Sequence, residues 1–187
     1  MKPYLKISGL IILLTFSYLK YAYTQEPGLN HLKPLFIIER SRDADFLVYE
    51  VVEKGKDNPL GSVSIDAYWI RKGENNRREP LTRIQNQYGY GIEVLEMTTG
   101  ASEELHFRIV AFPWYTFILR QDQGKAYKVY IRLADGEIEV EKLYVNFTNN
   151  SFWHPEVSYV ILYGLDPHAG TKYIETITPL EMNKNAS

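Results

Sequence analysis

Apolar and polar side chains alternate along most of the chain beyond residue 34. Leu105, Phe107 and Ile109, for instance, are separated by His106 and Arg108. A two-residue period puts one face of a β-strand against a core and the other in water. No segment after residue 24 sustains an apolar stripe at helical spacing over three turns, so the pattern predicts an all-β domain. Strands are expected over 35–39, 46–53, 62–71, 81–87, 91–97, 104–112, 115–121, 126–133, 137–147, 157–163 and 172–178, each bounded by Gly, Asn, Asp or Pro. The predicted architecture is a single antiparallel β-sandwich or a partly closed β-barrel of about 8–11 strands.

The sharpest local expectation is a hairpin at Asp135-Gly136. A two-residue turn there would pair Leu133 with Ile138 and Ile131 with Val140. Beyond Val140 the apolar positions move from even to odd numbers, to Leu143, Val145 and Phe147. One extra residue near Glu141 or Lys142 would restore the match, which predicts a β-bulge. The stretch Phe46 to Val52 is apolar on both sides and reads as a central strand covered twice. In SFWHPEVSYVILYGLDPHAG, residues 151–170, Val157, Tyr159 and Ile161 are expected to point into the core, with Phe152 and Trp153 over its open end.

The N-terminal 24 residues follow a different pattern. Lys2 and Lys6 precede the apolar stretch ISGLIILLTFSYL, and Ala22 and Thr24 are small enough to flank a cleavage site. This predicts a helical signal peptide over 1–24, because the apolar run is shorter than the roughly 20 residues of a spanning helix. A short lead (25–34), the all-β domain (35–180) and a tail (181–187) follow. An uncleaved segment would be the protein's one expected contact with a membrane. The expected location is the periplasm or the exterior.

Charge and composition then remove several chemistries. Without residues 1–24 the chain keeps 18 basic against 23 acidic residues, so nucleic acid is not an expected partner. The basic cluster RKGENNRREPLTR, residues 71–83, carries five positive charges among Gly, Asn and Pro and reads as a solvated loop. Cysteine is absent, which excludes disulfides, thiolate metal sites and thiol nucleophiles.

Several blocks then fall in a recognisable order: Leu35-Phe36-Ile37-Ile38-Glu39-Arg40-Ser41, Ala67-Tyr68-Trp69-Ile70, Leu81-Thr82 with Ile84-Gln85, Tyr90-Gly91-Ile92, and Ser151-Phe152-Trp153 with Pro155, Val157, Tyr159, Gly164, Asp166 and Gly170. In these blocks the chain resembles the exported bacterial family known as domain of unknown function 4833, over residues 34 to 179. His154 inside the Phe-Trp block and the extra Tyr88-Gly89 are departures in detail. The resemblance implies no activity, cofactor or catalytic residue.

Candidate chemistry is therefore weighed locally. His154, His168 and Asp166 are of metal-ligating type but lack a close His pair. Ser41 and Asp43 with a distant histidine lack the Gly-x-Ser-x-Gly elbow of a serine hydrolase. Asp166-Pro167-His168-Ala169-Gly170 has the composition of a turn. Gly89 and Gly91 read as a structural bend. Arg40 is expected to staple the first two strands through a carboxylate, its functional alternative being the grip of an anionic ligand. No catalytic residue, metal or cofactor is assigned. The residues singled out for ligand binding are Arg40, Tyr68, Trp69, Tyr88, Tyr90, Trp153 and Asp166, mostly amphipathic aromatics. Together they favour a non-enzymatic binding or assembly module of the cell envelope, with protein or carbohydrate as partner. The alternative is a small exported hydrolase whose site is scattered over strands and loops.

The signal reading has a direct check. Mass analysis of the protein purified from the cell envelope is expected to find an N-terminus within a few residues of Gln25, and an intact Met1 would refute cleavage.

Overall fold

The computed structural model describes residues 34–53, 63–98, 103–122, 126–134, 136–149 and 156–179. The expected signal peptide, Phe152, Trp153 and His154 lie outside the described residues. Among the described residues eleven strands form: β1 (Pro34–Arg40), β2 (Phe46–Glu53), β3 (Val63–Arg71), β4 (Arg77–Pro80), β5 (Ile92–Thr98), β6 (Glu104–Ile109), β7 (Phe112–Gln121), β8 (Tyr127–Leu133), β9 (Gly136–Asn149), β10 (Glu156–Leu165) and β11 (Lys172–Ile177). They join in one sheet that curls strongly into a half-barrel. This is the expected all-β fold in its partly closed form, with one correction. The sheet is mixed, because β1 runs parallel to β9.

The long strand β9 organises the curl. Its residues 136–139 pair with β8, residues 142–145 pair with β1, and β10 runs along 139–149. A strand has two edges and β10 occupies one of them, so β8 and β1 share the other in succession. Two arms diverge from this edge, β1 to β4 and β8 back to β5. Their inner faces meet where the ring of Phe36 stacks on Tyr49 (4.5 Å between centroids) and on Phe117 (5.8 Å), which in turn stacks on Phe107 (5.5 Å). Aromatic pairs at such distances add to the burial of their area.

The predicted bulge is present, and it falls where this change of partner occurs. Opposite β10, Lys142 pairs with Tyr163 and Val140 with Gly164, so Glu141 is the extra residue. Buried positions accordingly shift from Ile138 and Val140 to Leu143. Gly164 is required there, since a methyl group on it would overlap the Glu139 carbonyl oxygen and approach Ile138 Cγ2 to 2.7 Å.

Four local expectations are corrected. The β8–β9 hairpin pairs Leu133 with Gly136 and Ile131 with Ile138, two residues from the predicted register. Gly136 sits at φ 140° as the first residue of β9, and a shift of two preserves the faces. In β10 the core positions are Val160 and Leu162, not Tyr159 and Ile161. A bulge between Val157 and Tyr159 reverses the alternation, while Val157 still packs against the core. The charged run 71–83 is not all loop. It contains β4, which pairs with β3 through Arg71 opposite Arg77 and Tyr68 opposite Pro80. Ion pairs from Arg71 to Glu79 (2.9 Å) and Arg78 to Asp66 (2.9 Å) hold it.

Finally, the predicted strand 81–87 is helical, with turns at Arg83–Gln85 and Asn86–Tyr90. Thr82 caps it: the Gln85 amide donates to Thr82 Oγ1 (3.2 Å) and the Thr82 amide to Gln85 Oε1 (3.0 Å). The three-residue Thr-to-Gln spacing of a capping box is the signal that identifies it. The doubly apolar β2 is covered on both faces over Phe46, Leu47, Val48 and Tyr49, all buried, whereas Val52 at its far end is exposed.

Gly164→Ala is expected to cost about 2–3 kcal/mol or more, as overpacking against backbone does, and to lower the melting temperature. Gly73→Ala, with nothing within 4 Å of the added carbon, should change it little. Equal melting temperatures for the two variants would refute the close packing at the bulge.

Candidate functional site

Three of the singled-out residues meet at one end of the half-barrel. Arg40 closes β1, placed by its pairing with Val145, and shares the inward parity of Phe36 and Ile38. The next residue continues that pairing: the Ser41 amide donates to the Val145 carbonyl (2.9 Å), and Ser41 Oγ accepts from the Phe147 amide (3.0 Å). The Arg40 guanidinium lies over the Trp69 ring, 4.5 Å from its centroid. Arg40 Nη1 donates to the Tyr90 hydroxyl (2.9 Å), while Nη2 pairs with the Asp43 carboxylate. Trp69, 1% exposed, meets Tyr90 edge to face (5.4 Å, 85°). The Tyr90 carbonyl accepts from the Tyr49 hydroxyl (2.8 Å).

Electrostatics extend the cluster into the neighbouring loops. Arg71 approaches the Trp69 ring to 5.2 Å and donates to Asp45 (2.8 Å) and Glu79. Asp45 also accepts from the Lys72 amide (2.9 Å), and Asp43 accepts from the Asp45 amide (3.0 Å). The β1–β2 loop, the β3–β4 turn and Tyr90 are thus tied around one indole. Each arginine is matched by a carboxylate, so the expected staple is present at Arg40.

Two buried donors, Arg40 Nε and Trp69 Nε1, have no hydrogen-bond acceptor among the described residues. An orphaned Nε recurs at Arg120, whose other nitrogens hold Glu137 and Glu104. It therefore accompanies guanidiniums engaged in ion pairs and does not by itself mark a ligand. Chemically the cluster holds and orients. The Ser41 hydroxyl is engaged by a backbone amide, and burial, followed by the neighbouring Tyr90, pushes the Tyr49 phenol well above its usual value.

The other singled-out residues are elsewhere. Tyr68 is buried on the opposite face of β3, its hydroxyl donating to Glu50 (2.8 Å) beneath the Arg78 guanidinium (3.5 Å). Asp166 closes a turn after β10, accepting from the His168 (2.8 Å) and Ala169 (3.0 Å) amides. The Ala169 amide, then that of His168, holds its carboxyl below the usual range. Leu165 pairs with Glu139, whereas Arg40 pairs with Val145. At about 3.3 Å per residue, those six steps along β9 separate the turn from the arginine by roughly 20 Å. Trp153 lies outside the described residues. Among those described, no three metal-ligating side chains cluster.

Tyr88 is 69% exposed, and it leads to a feature that sequence reasoning missed. Seven large apolar side chains are exposed among the described residues, and five of them, Ile84, Tyr88, Val94, Leu95 and Met97, come from residues 84–97. Taking 81–87 for a strand hid the first of these, and the alternation of β5 reads like that of any half-buried strand.

The family model described as Domain of unknown function (DUF4833) matches residues 36–176. No curated protein and no solved structure matches the chain.

The buried phenols give a pH test. Burial raises Tyr49, Tyr68 and Tyr130, aided at Tyr68 by its bond to Glu50 and at Tyr130 by Glu139. Their folded values lie above the unfolded value of about 10. Their stabilisation is therefore complete below about pH 10 and is lost as pH rises towards the folded values. Tyrosinate absorbance is expected to show a late step that coincides with loss of the β-sheet dichroism. Ionisation of every tyrosine near pH 10 with the sheet intact would contradict this.

Proposed function

From a chain that belongs to the DUF4833 family of domains of unknown function, we propose a non-enzymatic binding module, exported to the cell envelope, that engages a protein partner through residues 84–97. The concentration of exposed apolar side chains in that stretch carries the reading. Scattered exposed apolar residues are ordinary, but five of the seven falling within one stretch of chain depart from scatter and point to an interaction surface.

The stretch is held from behind. Tyr90 packs under Arg40 and against Trp69. The β6–β7 turn donates from the Val110 amide to the Gly91 carbonyl (3.0 Å) and from Ala111 to Gly89 (2.7 Å). A methyl group on Gly91 would overlap the Asn86 carbonyl oxygen, so this bend too is tightly packed. Side chains displayed on a backbone fixed in this way lose less freedom on binding. The Arg40 cluster is thus the scaffold of the surface, not its contact. Four of the five exposed side chains are aliphatic or thioether and one is aromatic, which suits a protein partner better than a carbohydrate.

A photo-cross-linking residue at Ile84 in the full chain, expressed in its own cells, is expected to give a discrete protein adduct. Tyr88→Asp should abolish it with little change in melting temperature, since exposed substitutions usually shift stability by less than about 0.5 kcal/mol. No adduct, or one indifferent to Tyr88→Asp, would overturn the proposal.

A further inference from the structure

Among the described residues, β4, β5 and β11 each pair on one side only. Two of these edges are short or charged in the manner that blocks further pairing. β4 has four residues, carries Arg77 and Arg78 and ends on Pro80, and β11 has six residues with Lys172 and Glu175. β5 has seven residues, no proline and no lysine, its two charges Glu93 and Glu96 lie together on one face opposite Arg108 and His106, and it exposes Val94, Leu95 and Met97. Such an edge is a template for another strand.

The pairing with β6 fixes which face each β5 residue occupies. Ile92, Val94 and Met97 lie opposite Ile109, Phe107 and Leu105, all buried on the concave face. Glu93, Glu96 and Thr98 lie opposite Arg108, His106 and Glu104 on the convex face, and Leu95 is the extra residue of a bulge. We propose that β5 pairs antiparallel with β5 of a second copy of this chain, about a two-fold axis between Leu95 and Glu96. Val94 then faces Met97 of the second copy on the concave side, and Glu93 faces Thr98 on the convex side. The bulges coincide at the axis, so every regular pair keeps its face.

Neighbouring registers fail. One step back sets Val94 against Glu96, and one step forward sets Glu96 against Glu96. Two steps back match Ile92 with Met97 but oppose Glu93 to Glu96. Like charges directly opposite in a sheet are destabilising. Two steps forward set Glu96 of one face against Met97 of the other. The proposed register keeps the faces of the regular pairs and opposes no like charges, with the bulge residues Leu95 and Glu96 side by side at the axis, and its contact is isologous, as in most closed dimers. The inference rests on the proposed interaction surface and divides it: Val94, Leu95 and Met97 go to the second copy, and Ile84 and Tyr88, which precede β5, to the other protein.

The absence of cysteine makes the register directly testable. Full-length Val94→Cys and Met97→Cys chains, mixed and mildly oxidised, are expected to form a disulfide-linked heterodimer at least tenfold faster than either alone. Ile174→Cys, exposed on β11, serves as the background. Leu95→Glu in both chains, which sets a second carboxylate against Glu96 of the opposite copy, should abolish the cross-link while each chain keeps its β-sheet dichroism. The Ile84 photo-adduct should persist in Leu95→Glu, so loss of the dimer and loss of the partner site can be told apart. Cross-linking of the mixture at the Ile174→Cys level, or of Val94→Cys alone as fast as the mixture, would overturn the proposal.

Discussion

The bulge at Glu141 is the constraint on which the architecture depends. A single edge of β9 serves two partners of opposite direction, β8 before the bulge and β1 after it. An extra residue at that point bends the strand and increases its twist, which lets two arms leave one edge at an angle. The concave core follows, because Phe36 on one arm can then reach Phe117 on the other. Gly164 is the counterpart on β10, where the bent strand comes too close for any side chain.

Placement of the Arg40 cluster is a second result of the same geometry. The parallel pairing after the bulge brings Arg40 opposite Val145 and continues through Ser41 to Phe147. This fixes the end of β1 so that the guanidinium covers Trp69 and reaches Tyr90. A buried indole, an arginine and a carboxylate thereby join three connections of the sheet that are distant in sequence. Ion pairs with partly exposed partners contribute modestly one by one. Here their role is positional, since they aim the segment carrying Tyr88 and β5.

Much of the fold was legible in the sequence because a strand with one buried face writes its period into the chain. β6 alternates as expected, and the phase change after Val140 marks the bulge in the sequence itself. What escaped were features set by neighbours distant in the chain. The bulge that reverses β10 after Val157 depends on β9, and the direction of β1 depends on a partner about a hundred residues away. β4 escaped because its side chains are charged, and its pairing is held by ion pairs with Arg71 and Asp66 of β3. The helical turns after Thr82 were legible in principle through their cap, but alternation outweighed it. Of the candidate site, Arg40 and its carboxylate were foreseen. The convergence of Trp69 and Tyr90 on it was not derivable, because no local pattern says which strands become neighbours.

The partner of β1 has a consequence for how the chain acquires its structure. Ile37 pairs with Lys142 and Glu39 bonds to Lys142 across 103 residues, whereas β1 with β2 and β2 with β3 are sequence neighbours. Emerging from a ribosome, the first hairpins have all their local contacts long before β9 is synthesised. Until then the free edge of β1 and the apolar ring of Phe36 stay open to collision with other nascent chains. Closing a loop of that length is entropically slow, and slow non-local pairing is the stage at which β-proteins aggregate. A chain built on this topology gains from whatever keeps its early hairpins apart until β9 arrives.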